Sequence, residues 1–207
     1  MKVLLFNGSS RKNGCTYMAL SEVADILNHE SIETDILQMG SSTVRECIGC
    51  DKCAENSRCI FSYDIVNSWL GKADKADGFV FGSPVYYAHP TGQLLSLLDR
   101  MFYAGSSYFY HKPAAAVVSA RRAGTTASLD VLNKYFADAH MLMVGSSYWN
   151  MVHGMTPEQV KQDNEGLQTI RNLGRNMAWL LKCIEAGKSA GIFPPRVERE
   201  HWTNFIR

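Results

Sequence analysis

No stretch of about 18 apolar residues occurs in the 207-residue chain, so a membrane-spanning helix is not expected. The opening MKVLLFNGSSRKNG carries too short an apolar run for the core of a secretory signal. Charge of either sign is not in excess: 21 Lys and Arg face 20 Asp and Glu, leaving a formal net charge of +1. That balance lacks the electrostatic footprint of a protein that binds nucleic acid or an anionic membrane. Repeats and low-complexity tracts are missing, which excludes a solenoid or a linker-dominated chain. Several catalytic signatures are absent as well. There is no H-E-x-x-H, no G-x-S-x-G elbow and no G-x-G-x-x-G fingerprint, and Gly14 is followed by Cys15 and Thr16 rather than the Lys-Ser/Thr of a nucleotide P-loop. The expectation is a cytoplasmic protein whose partners are small molecules or other proteins, with no nucleic acid and no membrane.

What is present is a regular alternation. With 46% hydrophobic residues, the chain can bury one substantial core, and residues 1–207 are expected to form a single domain. KVLLF (Lys2 to Phe6), SIETDILQM, GFVFG (Gly78 to Gly82), PAAAVVSA (Pro113 to Ala120) and HMLMVGSSY read as five strands. Between them lie helical patterns: Ala19, Val23, Ile26 and Leu27 on one face, then Asp64 to Lys75, then Leu94, Leu98 and Met101, then Leu129, Leu132 and Phe136. A long helix from about Asn164 to Ala186 is followed by a tail, FPPRVEREHWTNFIR. Alternating strand and helix predicts an α/β fold, a doubly wound five-stranded parallel sheet with helices on both faces. In such sheets ligands bind beyond the carboxyl ends of the strands, where strand order reverses. Function should therefore be sought in the loops after strands one, three and four.

The first of these, NGSSRKNGCT (Asn7 to Thr16), supplies two glycines, hydroxyls and two cations at a helix start, the chemistry of an anion site. A polar turn with Thr16 as N-cap is the plainer alternative. The loop GSPVYYAHPTG after strand three offers a proline-fixed turn and adjacent Tyr86 and Tyr87, against which a flat ring could lie. SARRAGTT after strand four brings Gly124 for close approach and the cations Arg121 and Arg122, whose plainer reading is two solvated side chains.

NGSSRKNGCT, GSPVYY and SARRAGTT, in this order after successive strands, resemble the flavodoxin-like NAD(P)H-dependent FMN reductase family. The likeness covers essentially the whole chain. It implies a flavodoxin-like fold and bound FMN, with the phosphate at Ser9, Arg11, Gly14 and Thr16. It also implies an isoalloxazine site at Pro84, Val85, Tyr86 and Tyr87, closed on its other side by Ser119, Arg121, Arg122 and Gly124. The sequence departs from the family at Cys15, where relatives often carry a small polar residue such as Asn. On this resemblance the protein is an oxidoreductase moving electrons between NAD(P)H or a protein donor and a quinone, flavin or iron-sulfur acceptor. A flavodoxin-like electron carrier is the neighbouring possibility. No side chain is required as nucleophile or general base, because the flavin performs the chemistry.

Four of the six cysteines fall in CIGCDKCAENSRC, a C-x2-C-x2-C-x5-C spacing. Free thiols, adventitious disulfides, zinc and an iron-sulfur cluster all remain open on spacing alone. Zinc usually draws its ligands from two separated knuckles, and the ferredoxin pattern places Pro after its last cysteine where this chain has Ile60. The segment resembles the iron-sulfur flavoprotein branch of the same family, which implies Cys47, Cys50, Cys53 and Cys59 as ligands of a 4Fe-4S cluster within an insertion at about 40–61. A C-terminal extension is expected at about 187–207. Cys183, in MAWLLKCIEA, reads as a buried core thiol, and Asp99 and Arg100 as an ion pair at a subunit contact. The aromatic run MFYAGSSYFY suggests self-association into a homodimer or homotetramer. The alternative function is a zinc-stabilised or redox-sensing module that binds some other phospholigand without flavin turnover.

Overall fold

The structure is a computed structural model that describes residues 1–201 and 203. Positions 202 and 204–207 of the expected C-terminal extension lie outside the described residues.

β1 (Lys2–Asn7) buries Val3, Leu4, Leu5 and Phe6 together, as a strand covered on both faces must. It pairs in parallel with β2 (Glu33–Gln38) on one side and β3 (Gly78–Pro84) on the other. β4 (Pro113–Ala120) continues the sheet beyond β3, giving the order β2-β1-β3-β4-β5. This is the flavodoxin-like order, with its reversal between β1 and β3.

The pleat sorts side chains to two cores. Leu4, Phe6, Phe79, Phe81, Ala114, Ala116 and Val118 face α2 (Val66–Asp74), α3 (Gly92–Gly105) and α4 (Thr125–Asp138). Val3, Leu5, Val80, Ala115 and Val117 face α1 (Cys15–His29) and α6 (Asn164–Ser189). The first core is aromatic: Phe6 stacks on Phe81 with ring centroids 4.7 Å apart, and Phe81 on Phe136 at 5.2 Å. The small side chains of β4 leave room for these rings.

The order has the five expected positions, but among the described residues the fifth is filled by two short strands rather than one. β5 is only Leu142–Met143, paired with Pro113 and Ala114, and β6 (Met151–His153) resumes the same edge opposite Val118 to Ala120. Gly145, Ser146 and Ser147 have weak strand propensity, and α6 satisfies their polar groups instead. Asn176 donates to the Gly145 carbonyl at 2.9 Å, and Ser146 Oγ to that of Thr169 at 2.6 Å.

A short helix α5 (Pro157–Val160) precedes α6. α6 runs past the expected Ala186 to Ser189, so the C-terminal extension begins in helix. It stops where Gly191 takes φ +80°, letting Ile192 N donate to the Gly187 carbonyl at 2.8 Å and Gly191 N to that of Lys188 at 3.0 Å. Cys183 sits on the exposed side of this helix, not in the core as expected, because Met177, Ala178 and Leu181 take the inward face. Among the described residues no helix is long and apolar enough to cross a membrane.

Candidate functional site

Asn7 ends β1 fully buried and lays down the loop that follows. Its Nδ2 donates to Gln38 Oε1 at 2.5 Å, its Oδ1 accepts from Ser9 N at 3.1 Å, and Gln38 Nε2 donates to the Ser9 carbonyl at 2.7 Å. Ser9 Oγ in turn accepts from Arg11 N at 3.1 Å. α1 then starts after Gly14 with no side chain capping it, so its first-turn amides stay free for an anion. Thr16 is not the N-cap. It lies inside the first turn, buried, with Oγ1 2.8 Å from Ser119 Oγ across the sheet.

After β3 the chain makes a two-residue hairpin in which Tyr86 and His89 exchange backbone bonds of 2.8 and 3.0 Å. Its central residues, Tyr87 and Ala88, both have positive φ, +52° and +58°, the type I′ turn geometry usually left to Asn and Gly. Gly124, at the start of α4, braces this hairpin. Its φ is +90°, and a Cβ there would come within 2.6 Å of Ala88 Cα.

Ser9, Arg11, Gly14, Thr16, Pro84, Val85, Tyr86, Ser119 and Arg121 line one cleft of about 240 Å3 at the carboxyl ends of β1, β3 and β4. Tyr87 points outward, fully exposed; Arg122 is exposed on the neighbouring loop; Gly124 supports the hairpin from behind. Cys15, Ala120, Gly154 and Met155 also line the cleft and were missed. Gly154 and Met155 follow β6, a strand with no local signal. Gly154 N donates to the Ala120 carbonyl at 2.9 Å, and the Cys15 thiol reaches the Gly154 carbonyl at 3.6 Å. Burial pushes the Cys15 thiol above its ordinary range.

The four clustered cysteines come together at a second place. Residues 40–65 contain no strand among them and only one 3-10 turn (Lys52–Ala54), and they pack against the α2–α3 side. Cys47, Cys50, Cys53 and Cys59 all line a small apolar cavity with Ile48, Phe61, Arg100 and Tyr103. All four are free thiols. Burial pushes the Cys53 thiol up, with the other three sulfurs adding to the rise. Among the described residues no group of three or more His, Cys, Asp or Glu is arranged to hold a single metal ion, so the thiols share a cavity rather than one coordination point.

Arg100 corrects another expectation. It does not pair with Asp99 at a subunit contact; it is 1% exposed and forms its ion pair with Asp64. Asp99 instead accepts the Tyr135 hydroxyl, linking α3 to α4.

An iron-sulfur flavoprotein of Methanocaldococcus jannaschii is 32% identical over 193 residues, covering 89% of this chain and all of that protein. RosB, solved with a bound 8-demethyl-8-formylriboflavin-5'-phosphate intermediate, superposes with a TM-score of 0.69 at 16% identity, covering 100% of this chain and 94% of RosB. The WrbA-like flavodoxin of Agrobacterium tumefaciens gives a TM-score of 0.61 at 16% identity over 88% of this chain and 97% of that one. The fold is flavodoxin-like by topology and by likeness. The profile of the NADPH-dependent FMN reductase family matches residues 1–156. Its three loops, one cleft and strand order all fall within that span, and the chain belongs to the NADPH-dependent FMN reductase family.

Proposed function

We propose that residues 1–207 form one FMN-binding domain that works as an oxidoreductase, moving electrons between NAD(P)H or a protein donor and a quinone, flavin or iron-sulfur acceptor. The observation that carries this reading is the single cleft at the strand-order reversal. It joins an uncapped helix start, a proline-fixed aromatic turn and a cation-bearing loop. The residues fit FMN. The free amides of α1, with Ser9 and Arg11, suit a phosphate dianion. The buried Thr16–Ser119 hydroxyl pair forms the floor. Pro84, Val85 and Tyr86 offer a wall for a flat ring, and Arg121 a cation on the opposite side. Tyr87 and Arg122 sit at the rim, and Gly124 holds the wall in place. Bound FMN would supply the redox chemistry, and the protein's share is to bind, orient and tune it.

The four cysteines fit a 4Fe-4S cluster by donor chemistry, since such clusters take four thiolates. Two further facts support that assignment: all four line one cavity, and the Methanocaldococcus relative is named an iron-sulfur flavoprotein. We further infer a homodimer or homotetramer, in which Tyr103 and Trp179, now 64% and 69% exposed, would be covered.

The test is the visible spectrum of protein purified without oxygen, before and after acid release of its cofactors. Flavin bands with a brown shoulder bleached by acid are the expected result. Flavin bands alone would remove the cluster and keep the FMN enzyme. A colourless protein that stays unchanged on adding FMN, with stoichiometric zinc, would replace this reading by a zinc-held phospholigand module.

A further inference from the structure

α3 buries Leu97, Leu98, Met101 and Ala104, yet the largest fully buried side chain among the described residues is Arg100, on the same helix. A buried cation is costly unless it is paired and every donor is used. Here every donor is used. The guanidinium grips Asp64, whose side chain is only 3% exposed, through both terminal nitrogens. Those nitrogens also donate to the carbonyls of Arg45 at 3.4 Å and Phe61 at 3.2 Å. The remaining donor, Nε, points at Cys59 Sγ from 3.2 Å.

Cys59 is held from a second helix too. Asn67 of α2 accepts from Cys59 N at 2.9 Å and donates to the Cys59 carbonyl at 2.9 Å. Among the described residues the sulfurs of Cys47 and Cys50 have no hydrogen-bond partner, and that of Cys53 reaches only the Tyr103 carbonyl, at 3.7 Å.

We propose that Arg100 is the positioning residue of the cysteine cavity: with Asp64 as its anchor it fixes the Cys59 sulfur and donates to it, making Cys59 the one electron-poor ligand of the four. The proposal rests on the reading of these cysteines as ligands of an iron-sulfur cluster. A hydrogen bond to a ligand sulfur favours the more negative, reduced state of the centre, so Arg100 raises its reduction potential. It does so without adding net charge, because Asp64 neutralises the guanidinium.

The experiment uses anaerobically purified holoprotein: the wild type, Arg100→Lys, and the double variant Arg100→Leu with Asp64→Leu. A lysine ammonium can answer Asp64 but lacks the planar fork that reaches Asp64 and Cys59 together. The double variant removes both charges at once, so no unpaired buried charge remains to unfold the chain. Iron, sulfide and FMN content are measured alongside the cluster's midpoint potential in a spin-resonance redox titration. In both variants the expected result is a more negative cluster midpoint, or loss of the cluster, with FMN still bound. Wild-type midpoint and iron content in both variants would overturn the proposal while leaving the cluster assignment intact. A wild type without iron or sulfide would remove the cluster assignment and the proposal with it. Should Arg100→Lys fail to fold, the double variant decides.

Discussion

Gly124 shows how one residue shapes the cleft. Its φ of +90° lies in the left-handed region, and the nearest atom to an added Cβ would be backbone, the Ala88 Cα. Gly124→Ala should therefore cost about 2 kcal/mol or more. It should also displace the Tyr86–His89 hairpin, so that a lower urea midpoint is accompanied by weaker FMN binding. Unchanged stability would mean that this loop does not pack against the hairpin. The strain at Tyr87 and Ala88 is held by the same contact together with the paired Tyr86–His89 backbone. At this scale the sequence was readable where chemistry is local. Ser9, Arg11, Pro84 and Ser119 could be chosen because each lies at or just beyond the carboxyl end of a strand, beside a loop of fitting composition. Arg100 could not be read correctly, since its neighbour Asp99 is the obvious partner in sequence. Only the packing of α2 against α3 brings Asp64 to it.

Helices α3 and α4 are tied by Tyr135, whose hydroxyl donates to Asp99. Burial, reinforced by that carboxylate, pushes the phenol well above its ordinary value of 10. The folded chain thus keeps a proton that the unfolded chain gives up above about pH 10. Stability from this group is fully present below that pH and is lost as pH climbs beyond it. Tyr135→Phe should flatten the alkaline fall in thermal midpoint relative to wild type. An equally steep fall in the variant would place the alkaline sensitivity elsewhere. Elements were legible when their apolar run was unbroken or their pattern long and periodic: Pro113–Ala120 was expected as a strand with those same bounds, and Leu129, Leu132 and Phe136 do face inward. β6 was not legible. Three residues carry no periodicity, and Met151–His153 becomes a strand only because β4 offers a free edge beyond the Gly145–Ser147 interruption.

For the molecule as a whole, ligand binding is linked to folding: whatever binds the native state alone stabilises it. At free FMN one hundredfold above its dissociation constant the gain should be about 2.7 kcal/mol. Riboflavin, which lacks the phosphate, should stabilise much less, because the first-turn amides of α1 and Arg11 would have nothing to hold. Equal shifts in thermal midpoint with the two ligands would argue against the loop after β1 as the phosphate site. Composition and periodicity by themselves determined the fold class, the absence of a polymer-binding charge and the three loops that meet at the cleft. Those properties follow from which residues are apolar, and how often, along a covalent chain. Tertiary structure alone decided that the cysteines face one cavity, that Cys183 is exposed, that Gly154 and Met155 close the cleft and that Arg100 answers Asp64. Each of these depends on distances between residues far apart in sequence, which are fixed only when the sheet pairs and its helices pack.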